Sequence, residues 1–311
     1  MREWNGYTYI GGPLVRRAGP ARTIAIGKFD GVHIAHQTIL RTAVQKAAQT
    51  RSEAALFSFA PHPGLMLRGD AAYARWLTPS AERARLARAL GVQRSFVALF
   101  DSAFRSLTAE QFFRAYLAPL GAVHIVVGYN FRFGRGGAYG TSDLQEVAER
   151  SGVGVDIVAA LTVSGRAVSS SEIRQRLAAG DVVSAAGALG RPYRMRGRVV
   201  RGAGRGRTIG FPTANLELLE DFVLPREGVY AVDCDADGRV MRGVMNIGRR
   251  PTVSTSGEVS LEVHLPGESA DLYGRDLGVS LRAFLRDEKK FASLGELRGQ
   301  LLADVRQALS D

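Results

Sequence analysis

The sequence predicts two domains of different class: an α/β domain with a parallel sheet covered by helices on both faces, then an antiparallel β-barrel with a terminal helix. Three observations support this. Across the first half, five short apolar runs alternate with helical stretches. Three peptides rich in Gly, His, Pro and Asn each follow directly on one of those runs. Beyond about residue 185, strand-like runs succeed one another with no long helix between them.

In order, Thr23–Gly27, Ala54–Phe59, Ser95–Phe100, Val123–Gly128 and Val153–Ala159 are short and rich in apolar and β-branched residues, the mark of buried strands. Helical segments fall near 36–49, 80–90, 108–119 and 141–151, with Ser80 and Thr108 placed as N-terminal caps. Such alternation produces a parallel sheet, and ligands bind such sheets beyond the carboxyl ends of the strands. The unusual peptides Gly27–His36, Ala60–Pro63 and Gly128–Gly137 occupy those positions. Ser169–Leu189 is read as two short helices closing the first domain. The runs 194–200, 228–234, 239–245, 258–265 and 277–285, broken by turns such as Asp235-Ala236-Asp237-Gly238, predict antiparallel strands. Ser293–Leu309 is an amphipathic helix. The expected boundary gives domains 1–185 and 186–311.

Composition narrows the class. The chain has 311 residues, 46% hydrophobic and 23% charged, which suits folded protein and not a disordered chain. A single cysteine, Cys234, excludes a disulfide scaffold and a Cys-rich zinc site. No apolar run reaches the length of a membrane span, and the first residues lack an apolar signal core, so a cytoplasmic protein without membrane partners is expected. The formal charge is +11; four lysines leave 37 of the 41 basic residues as arginine. These arginines are scattered and not gathered into a patch, so no nucleic-acid partner is expected. The densest group, Arg191 to Arg207, is interleaved with glycines and is read as a loop.

Gly27-Lys28-Phe29-Asp30-Gly31-Val32-His33-Ile34-Ala35-His36 marks the turn from a first strand into a helix. Two histidines three apart share a helix face, and with the N-terminal amides they can cradle a phosphate chain. A zinc site would want a third or fourth ligand, and none is evident. In the second half, Arg201-Gly202-Ala203-Gly204-Arg205-Gly206-Arg207 permits close backbone approach to phosphates. Thr213 and Asn215 offer the neutral oxygens that Mg²⁺ accepts. Glu262 alternates with Leu261 and Val263 along a strand, so it faces away from them.

These peptides resemble, in order, the motifs of prokaryotic bifunctional riboflavin kinase/FMN adenylyltransferases. The stretch 27–36 resembles G-x-F-D-G-x-H-x-G-H, Phe59–Pro63 resembles F-x-P-H-P, and Val127–Gly134 resembles V-G-x-D/N-F-x-F-G. Ser169–Arg174 resembles S-S-[ST]-x-I-R, and Leu189–Tyr193 resembles L-G-R-P-Y. Gly210-Phe211-Pro212-Thr213-Ala214-Asn215-Leu216 matches the kinase G-F-P-T-A-N-L. Gly228–Tyr230, Asn246–Gly248 with Pro251-Thr252, Leu261–His264, and Leu285-Arg286 with Lys290-Phe291 complete a series spanning about residues 21–308.

The resemblance implies a Rossmann-like nucleotidyltransferase domain followed by a riboflavin kinase barrel. The barrel would phosphorylate riboflavin with ATP and Mg²⁺; the first domain would transfer AMP from a second ATP to FMN, giving FAD and pyrophosphate. It further implies Glu262 as general base and His33 and His36 as the catalytic pair for adenylyl transfer. Gly27, Phe29, Asp30, Ser170, Ser171, Arg174, Gly202, Gly204, Gly206, Arg207 and Gly210 would bind nucleotide phosphates. Phe59, Pro61, His62, Asn130, Arg286 and Phe291 would take the flavin side, and Thr213 and Asn215 the metal. His62, between two prolines, also has a purely structural reading. The chain departs from the family at Ala35, usually Gly, at Lys28, often Asn, and in Arg135–Gly140, where a mid-segment Arg is expected. Two other readings stand beside the bifunctional one: a kinase whose first domain is slowed or takes another acceptor, and a flavin-responsive regulator binding nucleic acid.

Overall fold

The computed structural model describes residues 1–4, 6–14, 19–163, 165–202, 210–249, 259–268 and 272–310. By its internal contacts the chain forms two compact units, Met1–Ser170 and Ser171–Asp311.

The first unit carries a seven-stranded sheet. Its strands are β1 (Arg2–Trp4), β2 (Tyr7–Ile10), β3 (Arg22–Ile26), β4 (Glu53–Ala60), β5 (Arg94–Leu99), β6 (Ala122–Gly128) and β7 (Gly154–Val158). They lie in the order β1-β2-β5-β4-β3-β6-β7, all parallel except the β1–β2 pair. Strands β3 and β4 are apolar on both faces, as a sheet covered on both sides requires. Helices α1 (Ile34–Gln49), α2 (Pro63–Arg68), α3 (Ser80–Ala89), α4 (Ser102–Arg105), α5 (Ala109–Phe112) and α6 (Thr141–Glu149) cover it. Phe57, Phe59, Phe104, Phe112 and Tyr116 build the core on one face. Phe29, Leu40, Leu56 and Leu86 build it on the other. The chain runs outward from β3 in one direction through β4 and β5, and in the other through β6 and β7. The strand order therefore reverses between β3 and β6, where a crevice opens at the carboxyl ends. A two-stranded ribbon, β8 (Thr162–Val163) and β9 (Arg166–Ala167), follows.

All five strands expected in this half form, each displaced by at most two residues. The expected 108–119 helix divides into α5 and a π-helical turn over Phe113–Leu117. Strands β1 and β2 and helices α2 and α4 are additional.

The second unit begins with α7 (Ser170–Ala178, its first residue shared with the first unit) and α8 (Val182–Leu189). Six strands follow: β10 (Tyr193–Val200), β11 (Ala214–Leu218), β12 (Gly228–Ala236), β13 (Arg239–Arg249), β14 (Val259–His264) and β15 (Asp276–Arg286). They close into an antiparallel barrel in the order β10-β11-β14-β13-β12-β15. The two helices expected to close the first domain therefore belong to the barrel unit. The Arg226 backbone amide donates to Leu177 O at 2.9 Å, and Gly180 lies against Phe284. The contact boundary accordingly falls at 170/171.

Alternation along the strands sorts the barrel wall. Met245, Ile247, Leu261 and Val263 are buried inside it, which turns Val244, Asn246, Gly248 and Glu262 to the outside. Part of that outer face is roofed by α9 (Leu294–Ser310), whose Ala308 and Val305 pack on Val229, Ala231 and Val244.

Two candidate active sites

In the first unit, the peptides after β3, β4 and β6 converge on the sheet's carboxyl edge. The turn after β3 is backbone-strained: Phe29, Gly31 and Val32 all have positive φ (50°, 92° and 40°). For residues other than glycine such angles cost on the order of 1–3 kcal/mol each and persist only where packing imposes them. Here Phe29 and Val32 are fully buried, and a side chain at Gly27 would crowd the Phe29 ring at 3.3 Å.

Asp30, 1% exposed, pins the turn to a distant segment. Its Oδ1 accepts from the Leu77 and Thr78 amides at 2.8 and 3.3 Å, while Gly31 N donates to Thr78 Oγ1 at 2.8 Å. Ser170 Oγ donates to Asp30 O at 2.7 Å. Asp30 and Ser170, expected at phosphates, therefore have structural partners and shape the cradle. Behind them Arg83, fully buried, donates to Lys28 O at 2.5 Å and Ser58 Oγ at 2.6 Å, tying the turn after β3 to β4, with its guanidinium over Trp76.

His33 is the N-cap of α1, its Nδ1 accepting from His36 N in a long 3.4 Å contact. The His33 and His36 rings stack at 3.6 Å. His36 Nδ1 is enclosed and has no hydrogen-bond partner among the described residues. Burial, first, then His33, Lys28 and Arg83 hold the His36 imidazole well below its ordinary pKa, so the ring is neutral. The first turn of α1 contains no acidic residue, leaving the positive end of the helix dipole uncompensated. The uncompensated helix start suits an anion, with the two imidazole rings beside it.

The remaining expected residues divide. His62 caps α2, accepting from Gly64 N at 2.9 Å, and stacks on Tyr73 at 4.5 Å; its Nε2 lies 3.9 Å from Asp30 Oδ2. Its structural reading is thus realised. Pro61 follows a cis peptide bond. Phe59 belongs to the aromatic core, against Phe57, Phe100 and Phe104. Asn130 is exposed directly after β6, and Ser171 and Arg174 stand on α7.

In the barrel, β11, β14 and β13 place Asn215, Glu262 and Asn246 in one row across the outer face, since Glu262 is paired with both asparagines. Thr213 Oγ1 donates to Glu262 Oε2 at 3.4 Å, and Ser260 Oγ to Oε1 at 3.2 Å, so hydroxyls hold both carboxylate oxygens. Asn215 is buried because the backbone at Gly202 passes over it: a Cβ there would stand 2.1 Å from Asn215 Nδ2. A side-chain amide and a hydroxyl beside one carboxylate suit a hard cation that keeps water and phosphate ligands. Among the described residues no cluster of three or more His, Cys, Asp or Glu is poised for a metal. Gly210 is exposed with φ of 79°, a conformation that requires glycine. Gly204, Gly206 and Arg207 lie outside the described residues, as do Pro251 and Thr252.

Arg286 has partners within its own unit. Its Nε lies 3.0 and 3.1 Å from the two carboxylate oxygens of Asp304, and its Nη2 donates to Oδ2 at 2.7 Å. Nη1 donates to Asp287 O at 2.9 Å. One N–H on Nη1 and one on Nη2 are left over by these bonds, and the guanidinium carbon lies 5.8 Å from the centre of the Phe291 ring. Sequence reasoning missed Arg83, Thr78, Ser260 and Asp304. Only Ser260 carried a signal, being two residues from Glu262 on the same strand face.

An anion cradle at the switch point of a parallel sheet, joined to a barrel bearing a hydroxyl-flanked carboxylate, defines a two-module phosphate-transferring enzyme. A model described as FAD synthetase matches residues 16–172, and one described as riboflavin kinase matches 189–310. A Bacillus subtilis relative named bifunctional riboflavin kinase/FMN adenylyltransferase is 35% identical over 300 residues, covering 95% of this chain and 94% of its own. Its namesakes from Pseudomonas fluorescens (39%, 91% and 90% covered) and Escherichia coli K12 (38%, 90% of each) agree. This chain belongs to the bifunctional riboflavin kinase/FMN adenylyltransferase family. A Streptococcus pneumoniae crystal structure described as a macrolide-efflux protein superposes with a TM-score of 0.86 at 32% identity, over 96% of this chain and 97% of that one. Among the described residues of this chain, no helix is long and apolar enough to cross a membrane.

Proposed function

We propose the following division of labour for an enzyme that phosphorylates riboflavin and adenylylates FMN. The barrel carries the kinase. Glu262 takes the proton from the riboflavin 5′-hydroxyl as that oxygen attacks the γ-phosphorus of ATP in line and ADP departs. Thr213 and Ser260 orient the carboxylate. Thr213 and Asn215 would hold Mg²⁺, which when bound neutralises charge on the phosphates. Gly202, Gly204, Gly206, Arg207 and Gly210 are assigned to the ATP phosphates on the family's motifs, and Phe291 supplies an aromatic face for the flavin.

The sheet unit carries adenylyl transfer. An FMN phosphate oxygen attacks the α-phosphorus of ATP and pyrophosphate leaves. His33 and His36 stabilise the developing charge by hydrogen bonding, assisted by the α1 N-terminus. Gly27, Phe29, Asp30 and Ser170 shape that cradle. Arg174 and Ser171 are assigned to the β- and γ-phosphates, and Asn130 and Pro61 to the flavin side, on the family's motifs alone. Phe59 and His62 support this wall from behind. The functional boundary is proposed at 185/186, within the stretch that neither family model matches, although α7 and α8 pack with the barrel unit.

One observation carries the reading: Glu262 stands in register with Asn215 with both its oxygens held by hydroxyls. The test is incubation of the chain with riboflavin and MgATP, products resolved by chromatography. FMN followed by FAD is expected. FMN alone would confine the chain to the kinase, and neither product would refute the proposal.

A further inference from the structure

The motif Asn246-Ile247-Gly248 has no part in the chemistry above, yet the structure gives it a single target. Asn246 Nδ2 donates to Glu288 Oε1 at 2.9 Å. Gly248, two residues on and on the same outer face, stands directly against that carboxylate. A Cβ at 248 would lie 2.0 Å from Glu288 Oε1 and 2.7 Å from Cδ. One residue supplies the hydrogen bond and the other the space, with Ile247 between them buried in the barrel interior.

Glu288 is the third of three consecutive side chains anchored to three different elements. Arg286 is clamped by Asp304 of α9. Asp287 accepts from Arg226 Nη2 at 2.5 Å, just before β12. Glu288 is tied to β13. Three unrelated anchors on successive residues hold the chain leaving β15 in one path, and that path leads to Phe291 beneath the Arg286 guanidinium. Asn246 is also the residue paired with Glu262 across the β13–β14 ladder, so the anchor adjoins the general base.

We infer that Asn246 and Gly248 form a cradle for the Glu288 carboxylate, and that Glu288 is a positioning residue for the phosphate acceptor, presetting the Arg286–Phe291 turn against which riboflavin docks. This rests on the reading of the barrel as the kinase. The ordering cost of the turn is met on folding and not on flavin binding.

The test is a double-mutant cycle of Gly248→Ala and Glu288→Ala in the full chain. The Gly248 φ lies outside the left-handed region, so alanine is tolerated by the backbone and acts by displacing Glu288. Each single variant should raise the riboflavin KM about fivefold to tenfold, the scale of one solvent-exposed hydrogen bond, with the ATP KM and kcat changed less than about twofold. The double variant should match Glu288→Ala alone, because the added methyl no longer has a carboxylate to displace. Amide hydrogen exchange of β12 and β15 in the same preparations, matched to wild type, checks that the barrel is folded. Unchanged riboflavin KM in Glu288→Ala, equal loss of kcat and affinity for both substrates, or additive effects in the double variant would each overturn the inference. A wild-type chain that made no FMN would instead overturn the kinase reading on which it rests.

Discussion

The Asp304–Arg286 pair offers a quantitative test of how the barrel site is held. Asp304 is 3% exposed at its side chain and Arg286 13%, so the pair is shielded from solvent. The carboxylate receives the guanidinium through Nε and Nη2, and Gln300 Nε2 donates to Oδ1 at 2.8 Å. Replacing Asp304 with Ala orphans a nearly buried cation and detaches a polar anchor of α9. Removing one partner of a buried pair costs about 3–5 kcal/mol, a large share of the roughly 5–15 kcal/mol that stabilises a domain. Removing both partners leaves no stranded charge, so Asp304→Ala with Arg286→Met should be less destabilised than Asp304→Ala alone, by about 2 kcal/mol. Both tryptophans, Trp4 and Trp76, lie in the first unit, so tryptophan fluorescence does not follow the barrel. Amide hydrogen exchange of β12 and β15 in urea does. An Asp304→Ala barrel within about 0.5 kcal/mol of wild type, or strictly additive losses in the double variant, would refute the account.

Three further outcomes follow from the same geometry. Gly202→Ala places a methyl 2.1 Å from Asn215 Nδ2 and should cut FMN formation on the order of 100-fold, with a raised Mg²⁺ requirement; unchanged turnover would show that Asn215 has no part at the site. His36, its folded pKa depressed, gives stability that is complete above the unfolded value near 6.5 and is lost as pH falls below it. The first unit's denaturation midpoint should therefore drop between neutral pH and about pH 5 by more in wild type than in His36→Gln, and equal drops would contradict the assignment. Ala35→Gly removes the methyl from the first turn of α1 and should lower the ATP KM of FAD synthesis; an unchanged KM would show the methyl to be harmless.

The fold was legible where strands are apolar on both faces. Five contiguous runs announced the central sheet because a strand covered on both sides has no polar alternation to hide it. Strands β1 and β2 were not legible, being short and set at the sheet edge. Strand β11 was missed for a different reason: Asn215 and Glu217 are residues that strands disfavour, and only its pairing with β10 and β14 makes Ala214–Leu218 extended. Alternation gave the facing of Glu262 and only the family resemblance its role, while the His33–His36 pair was legible from its spacing before a helix. The Asp304 partner of Arg286 was not legible because it lies 18 residues on, across a turn and most of a helix. Arg83 gave no signal, since its partners are a backbone carbonyl and a serine hydroxyl from distant elements. Cys234 is buried, and burial first, then Asp233 and Asp235, push its thiol up to about 12.

The central claim is that one chain carries two separate phosphate-transfer sites, with Glu262 the base of one only. The decisive measurement is product formation by Glu262→Gln supplied with MgATP and, in parallel, riboflavin or FMN. The account predicts no FMN from riboflavin and undiminished FAD from FMN. Substantial FMN from riboflavin, or loss of both activities in a folded variant, would contradict it.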